Sequence, residues 1–155
     1  MELIDLLSPE AILPNLKASS KKQALQELAA RAATICGQNE RDIFDTLLQR
    51  EQLGSTGVGN GIAIPHGKML SLEGLYGVFA RLDKPIEFDS LDDQPVDLIF
   101  LLLAPEGAGA DHLKALARVA RLLRDSEVAS KLRATKDAAA IYSILTQPQA
   151  SPTAA

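Results

Sequence analysis

Two histidines stand in 155 residues, His66 and His112, and each falls where one structural element gives way to another. Ile62-Ala63-Ile64 reads as a short buried strand. Pro65 restricts Ile64 to extended geometry and fixes its own φ, so His66 is expected to emerge where that strand ends. The crevice beyond strand ends is where open α/β sheets commonly bind ligands, and Gly67 lets a phosphate or a partner's backbone approach closely. An imidazole so held is a candidate nucleophile. Asp111 reads as a helix N-cap, which places His112 at the first helical position. A helix N-terminus disfavours imidazolium and favours anions by about 0.3–1 kcal/mol. A histidine so placed tends to stay neutral and can donate one N–H to a bound phosphoryl oxygen, while the Asp111 carboxylate beside it pulls the other way. Arg50, in the last helical turn before a glycine-rich segment, is the candidate fixed cation. Ser55, Thr56 and the amides of Gly57, Gly59 and Gly61 are further candidate donors, as in loops that cradle phosphates.

Each feature also has a plain structural reading. A lone histidine after proline is often solvated, His112 can simply continue a helix edge, and Arg50 with Glu51 can be an ordinary surface pair. The glycine-rich segment can be only a turn. What favours chemistry is that all of them fall at element ends. Competing motifs fail on spacing. Gly61 to Gly67 leaves five residues where a P-loop needs four, and Lys68 is followed by Met69 rather than Ser or Thr. Gly57-Val58-Gly59-Asn60-Gly61 lacks the last glycine of the dinucleotide fingerprint. One Cys and two His make a poor zinc set, and no G-x-S-x-G elbow supports Ser55 in a triad. Neither a cofactor nor a metal is expected.

The elements that must position these groups follow from hydrophobic period. Ser20 with Gln23 has the form of a capping box, and Ala24, Leu25, Leu28, Ala29 and Ala32 recur at helical spacing up to Gly37. Asn39 caps a second helix with Ile43, Phe44, Leu47 and Leu48 inward and Gly54 as its stop. Residues 54–61 are too rich in glycine for a helix or a regular strand. Leu75 to Leu82 is strand-like, and the unbroken apolar run in Val96 to Ala104 predicts a strand buried on both faces. Asp83-Lys84-Pro85 and residues 89–93 read as turns. After a loop at 105–110, Leu113, Leu116, Ala117, Ala120 and Leu123 form one helical face. Shorter helices start at Ser126 and Thr135, and residues 147–155 read as a flexible tail. The sum is an α/β fold with helices on both sides of a central mixed sheet.

Composition agrees with one domain. Apolar residues make up 46% of the chain, enough for a core at this length. A net charge of −4 argues against a nucleic-acid reader, which needs a basic face. No apolar run approaches the roughly 20 residues of a membrane span, Met1-Glu2-Leu3-Ile4-Asp5 is unlike a secretory signal, and the single Cys36 reads as a buried helical thiol. A cytoplasmic protein is the expectation.

The stretch Arg50-Glu51-Gln52-Leu53-Gly54-Ser55-Thr56-Gly57-Val58-Gly59-Asn60-Gly61-Ile62-Ala63-Ile64-Pro65-His66-Gly67-Lys68 resembles the active-site signature of IIA components of the phosphoenolpyruvate:sugar phosphotransferase system, of the fructose, mannitol and nitrogen-regulatory class. Asp83 to Asp89, Pro95 to Phe100, Asp111 to Ala117 and Ala120 to Leu123 resemble its nitrogen-regulatory branch. The likeness runs from Leu3 to about Leu145, implying a single IIA type-2 domain over residues 1–146 and a mixed sheet of about five strands sandwiched between helices. It implies that His66 is phosphorylated, that His112 hydrogen-bonds the phosphoryl group and that Arg50 stabilises its charge. The implied donor is the phosphohistidine of a small HPr-like carrier, itself charged by enzyme I. Apolar surface for docking that carrier is expected around His66, with Ile64, Met69 and Leu70 as candidates. A regulator acting through its phosphorylation state is the favoured role. A sugar-transport IIA component passing phosphate to a IIB domain, and a binding module that keeps the fold without phosphorylation, are the alternatives.

Overall fold

The computed structural model describes residues 2–147. The expected C-terminal tail, apart from Gln147, lies outside the described residues. Two short 3-10 turns, Leu3–Asp5 and Pro9–Ala11, lead into strand β1 (Ile12–Leu13). Helix α1 (Lys21–Cys36) begins where Ser20 Oγ accepts from the Gln23 amide at 3.1 Å, and it ends on Gly37 at φ 75°. The Gln23 side chain reaches one residue further back than a capping box requires and accepts from the Ser19 amide. Helix α2 (Glu40–Gln52) is capped by Asn39 Oδ1, which accepts from the Asp42 amide. Cys36, at the end of α1, is only half-buried.

The glycine-rich segment holds more order than its composition suggests. Strands β2 (Gly57–Gly59) and β3 (Ile62–Ala63) form an antiparallel hairpin around Asn60 and Gly61. Both turn residues have positive φ, 56° and 79°, as a type I′ turn demands, and Asn-Gly is the pair that tolerates it. Strand β4 (His66–Met69) follows directly, then β5 (Tyr76–Ile86) and β6 (Val96–Pro105). β5 runs through the expected turn at Asp83-Lys84-Pro85. The ladder slips between Arg81 and Ile86, so Pro85 is not asked for a hydrogen bond that it cannot donate.

The sheet is mixed, in the order β1-β5-β6-β3-β2, with β4 also on β6. β3 and β4 both run parallel to β6 and share one of its edges: β3 meets Leu98 and Ile99, β4 meets Leu102 to Pro105. They are one strand interrupted at Ile64-Pro65, so six segments make a sheet five positions wide. Leu98 to Ala104 are fully buried, which requires helical cover on both faces. α1 and α2 pack on each other and against β5 and β4; α3 (Ala110–Arg124) packs on β6 and on α4 (Ser126–Ala134). α5 (Ala138–Thr146) packs on α4 and β1. Asp125 and Asp137 cap the last two helices, so α5 starts after Asp137 rather than at Thr135. No helix among the described residues is long and apolar enough to cross a membrane.

α3 departs from the expected register. Its N-cap is Gly109, at φ 48°, not Asp111. The buried face consists of His112, Ala115, Val119, Leu122 and Leu123, while Leu113 is 69% exposed and Leu116 half-buried. Leucines occur on both sides of this helix, so apolar spacing alone does not pick out the inner stripe.

Candidate active site

His66 opens β4 instead of lying beyond a strand end. Its backbone is fixed by the break before it, where Pro65 contributes only a carbonyl, which accepts from the Leu102 amide of β6 at 2.9 Å. The ring is fixed by a second carbonyl: His66 Nδ1 donates to Ile64 O at 2.8 Å. A carbonyl can only accept, so Nδ1 carries the proton and Nε2 is left with its lone pair. Burial holds the His66 pKa below the ordinary histidine value; the Ile64 bond opposes this, Arg50 adds to it, and Glu51 opposes it. Near neutral pH the ring is thus uncharged, with a nucleophilic Nε2.

His112 is the third residue of α3 and only 4% exposed. Its ring meets that of His66 edge to face, centroids 5.8 Å apart and planes inclined at 68°. Neither ring nitrogen has a hydrogen-bond partner among the described residues. Burial, then the neighbouring His66 and Lys68, lower its pKa as well. A buried donor without a partner costs about 1–3 kcal/mol, which a bound acceptor between the rings would recover.

Both histidines line a cleft of about 770 Å³ between α2, β4 and the start of α3. Arg50 also lines it, its Nη1 donating to Gly54 O at 2.9 Å so that the guanidinium closes the end of its own helix. Lys68 supplies a second cation, and Leu53, Leu113 and Leu116 supply apolar wall. The structure thus brings His66, His112 and Arg50 together from sites far apart in sequence.

The glycine-rich loop is not brought to the cleft. None of Ser55, Thr56, Gly57, Gly59 and Gly61 lines it. Their polar groups serve the fold: Ser55 Oγ donates to Phe88 O at 2.7 Å and accepts from the Gly57 amide, and Thr56 binds Glu51 through both amide and hydroxyl. Gly61 sits against Asp97 and Arg133, where a Cβ would come within 2.8 Å. The expected docking residues also need correction. Ile64 and Met69 are buried, because both belong to the interrupted strand and its join, and Leu70, though exposed, does not line the cleft. The exposed apolar side chains lining it are Leu53 and Leu113. Glu51 was also missed. Adjacent to Arg50, it reads as half of a surface pair, yet it is 7% exposed and its partners are Thr56 and Lys21. The signal was the threonine five residues on, which no helical spacing rule flags.

Comparison with known proteins shows the family. A family model described as "Phosphoenolpyruvate-dependent sugar phosphotransferase system, EIIA 2" matches residues 5–147. The chain is 69% identical over 151 residues to a protein named nitrogen regulatory protein from Bradyrhizobium diazoefficiens, covering 97% of this chain and 99% of that one. It is 41% identical over 149 residues to the nitrogen regulatory protein of Klebsiella oxytoca, covering 95% and 91%. The crystal structure of nitrogen regulatory protein IIA-Ntr from Neisseria meningitidis superposes with a TM-score of 0.88 at 35% identity, covering 93% of this chain and 99% of that one. Sequence and backbone agree over nearly the whole length, and the chain belongs to the EIIA 2 family of the phosphoenolpyruvate-dependent sugar phosphotransferase system.

Proposed function

We propose that this protein is a phosphohistidine carrier that accepts a phosphoryl group on His66 Nε2 from an HPr-like protein and regulates partner proteins through its phosphorylation state. The observation that carries this reading is the Nδ1–H to Ile64 O bond, which leaves Nε2 as the free nucleophile facing a buried imidazole without a partner. The Nε2 lone pair attacks the phosphorus of the donor's phosphohistidine, and the donor's N–P bond breaks with its electron pair returning to the donor ring. The donor ring, protonated on its other nitrogen, is itself a phosphoimidazolium and is left as neutral imidazole, while His66 keeps its Nδ1 proton, so one phosphoimidazolium is exchanged for another. The step exchanges one N–P bond for another and needs no nucleotide; positioning and charge stabilisation suffice. His112 donates to a phosphoryl oxygen and Arg50 balances its charge.

A regulatory role is supported by the relatives named nitrogen regulatory proteins. Its targets, in nitrogen, carbon or potassium metabolism, belong to the same proposal. The test is intact mass after incubation with phosphoenolpyruvate, enzyme I and a charged carrier. One acid-labile phosphoryl group is expected on the wild type and none on His66→Gln. No added mass on the wild type, with the carrier shown to be charged, returns the protein to a binding module.

A further inference from the structure

Glu51 is a buried carboxylate that the proposed transfer does not use. Its side chain is 3% exposed, and Lys21 Nζ, from the first residue of α1, stands 3.4 Å from Oε1. Oε1 also accepts from Thr56 Oγ1 at 2.8 Å, and the Thr56 amide donates to Oε2 at 2.9 Å and to Oε1 at 3.1 Å. From Thr56 the chain of bonds continues toward the site. Thr56 O accepts from the Ile64 amide at 3.0 Å, and Ile64 O accepts the Nδ1 proton of His66 at 2.8 Å. Both backbone groups of Thr56 and both of Ile64 are thereby engaged, and Pro65, next in sequence, stiffens the peptide that presents the last carbonyl.

We infer that Glu51 is a positioning residue which, through Thr56 and the Ile64 carbonyl, holds the His66 ring in the tautomer that leaves Nε2 free. An isolated neutral imidazole favours the opposite tautomer, with its proton on Nε2, where it would block attack. The preference must therefore be imposed from outside the ring, and among the described residues the acceptor on Nδ1 is the carbonyl of Ile64, a residue whose own amide is tied back through Thr56 to this carboxylate. Lys21 makes the anchor three-sided, since it also lies 3.7 Å from Asp89 and over the Phe88 ring, beside the loop that receives Ser55. Removing the charge and one of the two acceptor oxygens sets an NH2 donor against the Thr56 donors and loosens the carbonyl, and the ring then samples both tautomers. The inference rests on the phosphocarrier reading only for its consequence in transfer. The tautomer itself is read without any phosphoryl donor.

The experiment is long-range proton–nitrogen NMR of the imidazoles in the full chain labelled with nitrogen-15, for wild type, Glu51→Gln, Thr56→Val and Thr56→Ser. Backbone amide spectra verify the fold of each. In the wild type, His66 should show a protonated Nδ1 and a pyridine-type Nε2. Glu51→Gln should move both nitrogens toward averaged shifts and slow phosphoryl acceptance by roughly ten- to a hundredfold, the scale of a small misplacement of a reacting group. Thr56→Ser keeps both donors and should retain the wild-type nitrogen pattern, whereas Thr56→Val, which loses the hydroxyl, should move part of the way. Folded Glu51→Gln with unchanged His66 shifts overturns the inference and makes Glu51 a fold residue only. Should Glu51→Gln fail to fold, unchanged shifts in Thr56→Val overturn it equally. A wild type that shows this tautomer yet takes no phosphoryl group contradicts the function proposed above and leaves the positioning intact.

Discussion

Thr46 of α2 lies against Gly67 of β4 so closely that a Cβ on the glycine would come within 2.7 Å of Thr46 Cγ2. The threonine cannot easily turn away, because a β-branched side chain in a helix has few rotamers and its Oγ1 donates to Asp42 O at 2.8 Å. This contact sets the spacing between helix and strand. Arg50 stands one turn beyond Thr46, and His66 immediately precedes Gly67, so the same spacing sets how near the cation comes to the imidazole. Gly67→Ala should cost about 1–3 kcal/mol, the usual range for overpacking, and slow phosphoryl acceptance. Adding Thr46→Ala should restore most of both in a double-mutant cycle by denaturant unfolding and transfer kinetics. Additive losses would show that the two sites are not coupled.

Arg50→Lys should impair transfer while leaving the fold intact. The guanidinium can hold Gly54 O with one nitrogen and still present others to a phosphoryl oxygen, whereas an ammonium is a single point. A fall in transfer rate with an unchanged unfolding midpoint is expected. Full activity would take Arg50 out of the site.

His112→Ala should slow transfer and also destabilise the protein by about 1–3 kcal/mol, because the ring is buried and its loss leaves a void. The shortened lifetime of the phosphorylated form, followed by mass spectrometry over time, separates the chemical effect from the packing one. An unchanged lifetime would make His112 structural.

Leu53 and Leu113 are 85% and 69% exposed on the wall of the cleft, so neither holds the core together. Leu113→Asp and Leu53→Asp should leave the unfolding midpoint within about 0.5 kcal/mol of wild type and raise the carrier concentration needed for half-maximal transfer. Carrier titrations that superimpose on wild type would place the docking surface elsewhere.

Both histidines are held below the ordinary value of about 6.5, chiefly by burial. In the window beneath that value the unfolded chain binds protons that the native sites refuse, so stability falls with falling pH. Their contribution is fully present above about 6.5 and is lost as pH drops toward the native midpoints. Imidazole proton NMR should place both midpoints below the ordinary value, and denaturant midpoints should decline from pH 7 to 5. A midpoint above the ordinary value for either ring would contradict the burial argument.

Local chemistry made much of this legible. Ser20, Gly37 and Asn39 act where helix capping puts them, and the uninterrupted leucines of β6 announce a strand covered on both sides. Asn60-Gly61 carried a hairpin signal that the surrounding glycines obscured. Pro85 suggested a turn because a ladder slip has no local mark. The inward face of α3 was hidden by leucines that belong to the cleft rather than the core, and Glu51 by a partner, Lys21, thirty residues away. What sequence conveys poorly is which of two apolar faces is wet, and which carboxylate is spoken for.

Among the described residues, β4, the strand that begins with His66, pairs with β6 alone, and β3 pairs with β2 and β6. During synthesis His66 therefore emerges from the ribosome before Val96–Pro105, the segment that pairs with its strand. Until about two-thirds of the sequence has been made, the β2–β3 hairpin can pair only with itself and β4 has no strand to join, so the rest of their pairing waits on slow, sequence-distant contacts. A truncated nascent chain ending before β6 would contain every glycine of the loop and His66 itself, yet no carbonyl fixed in place to hold its Nδ1 proton.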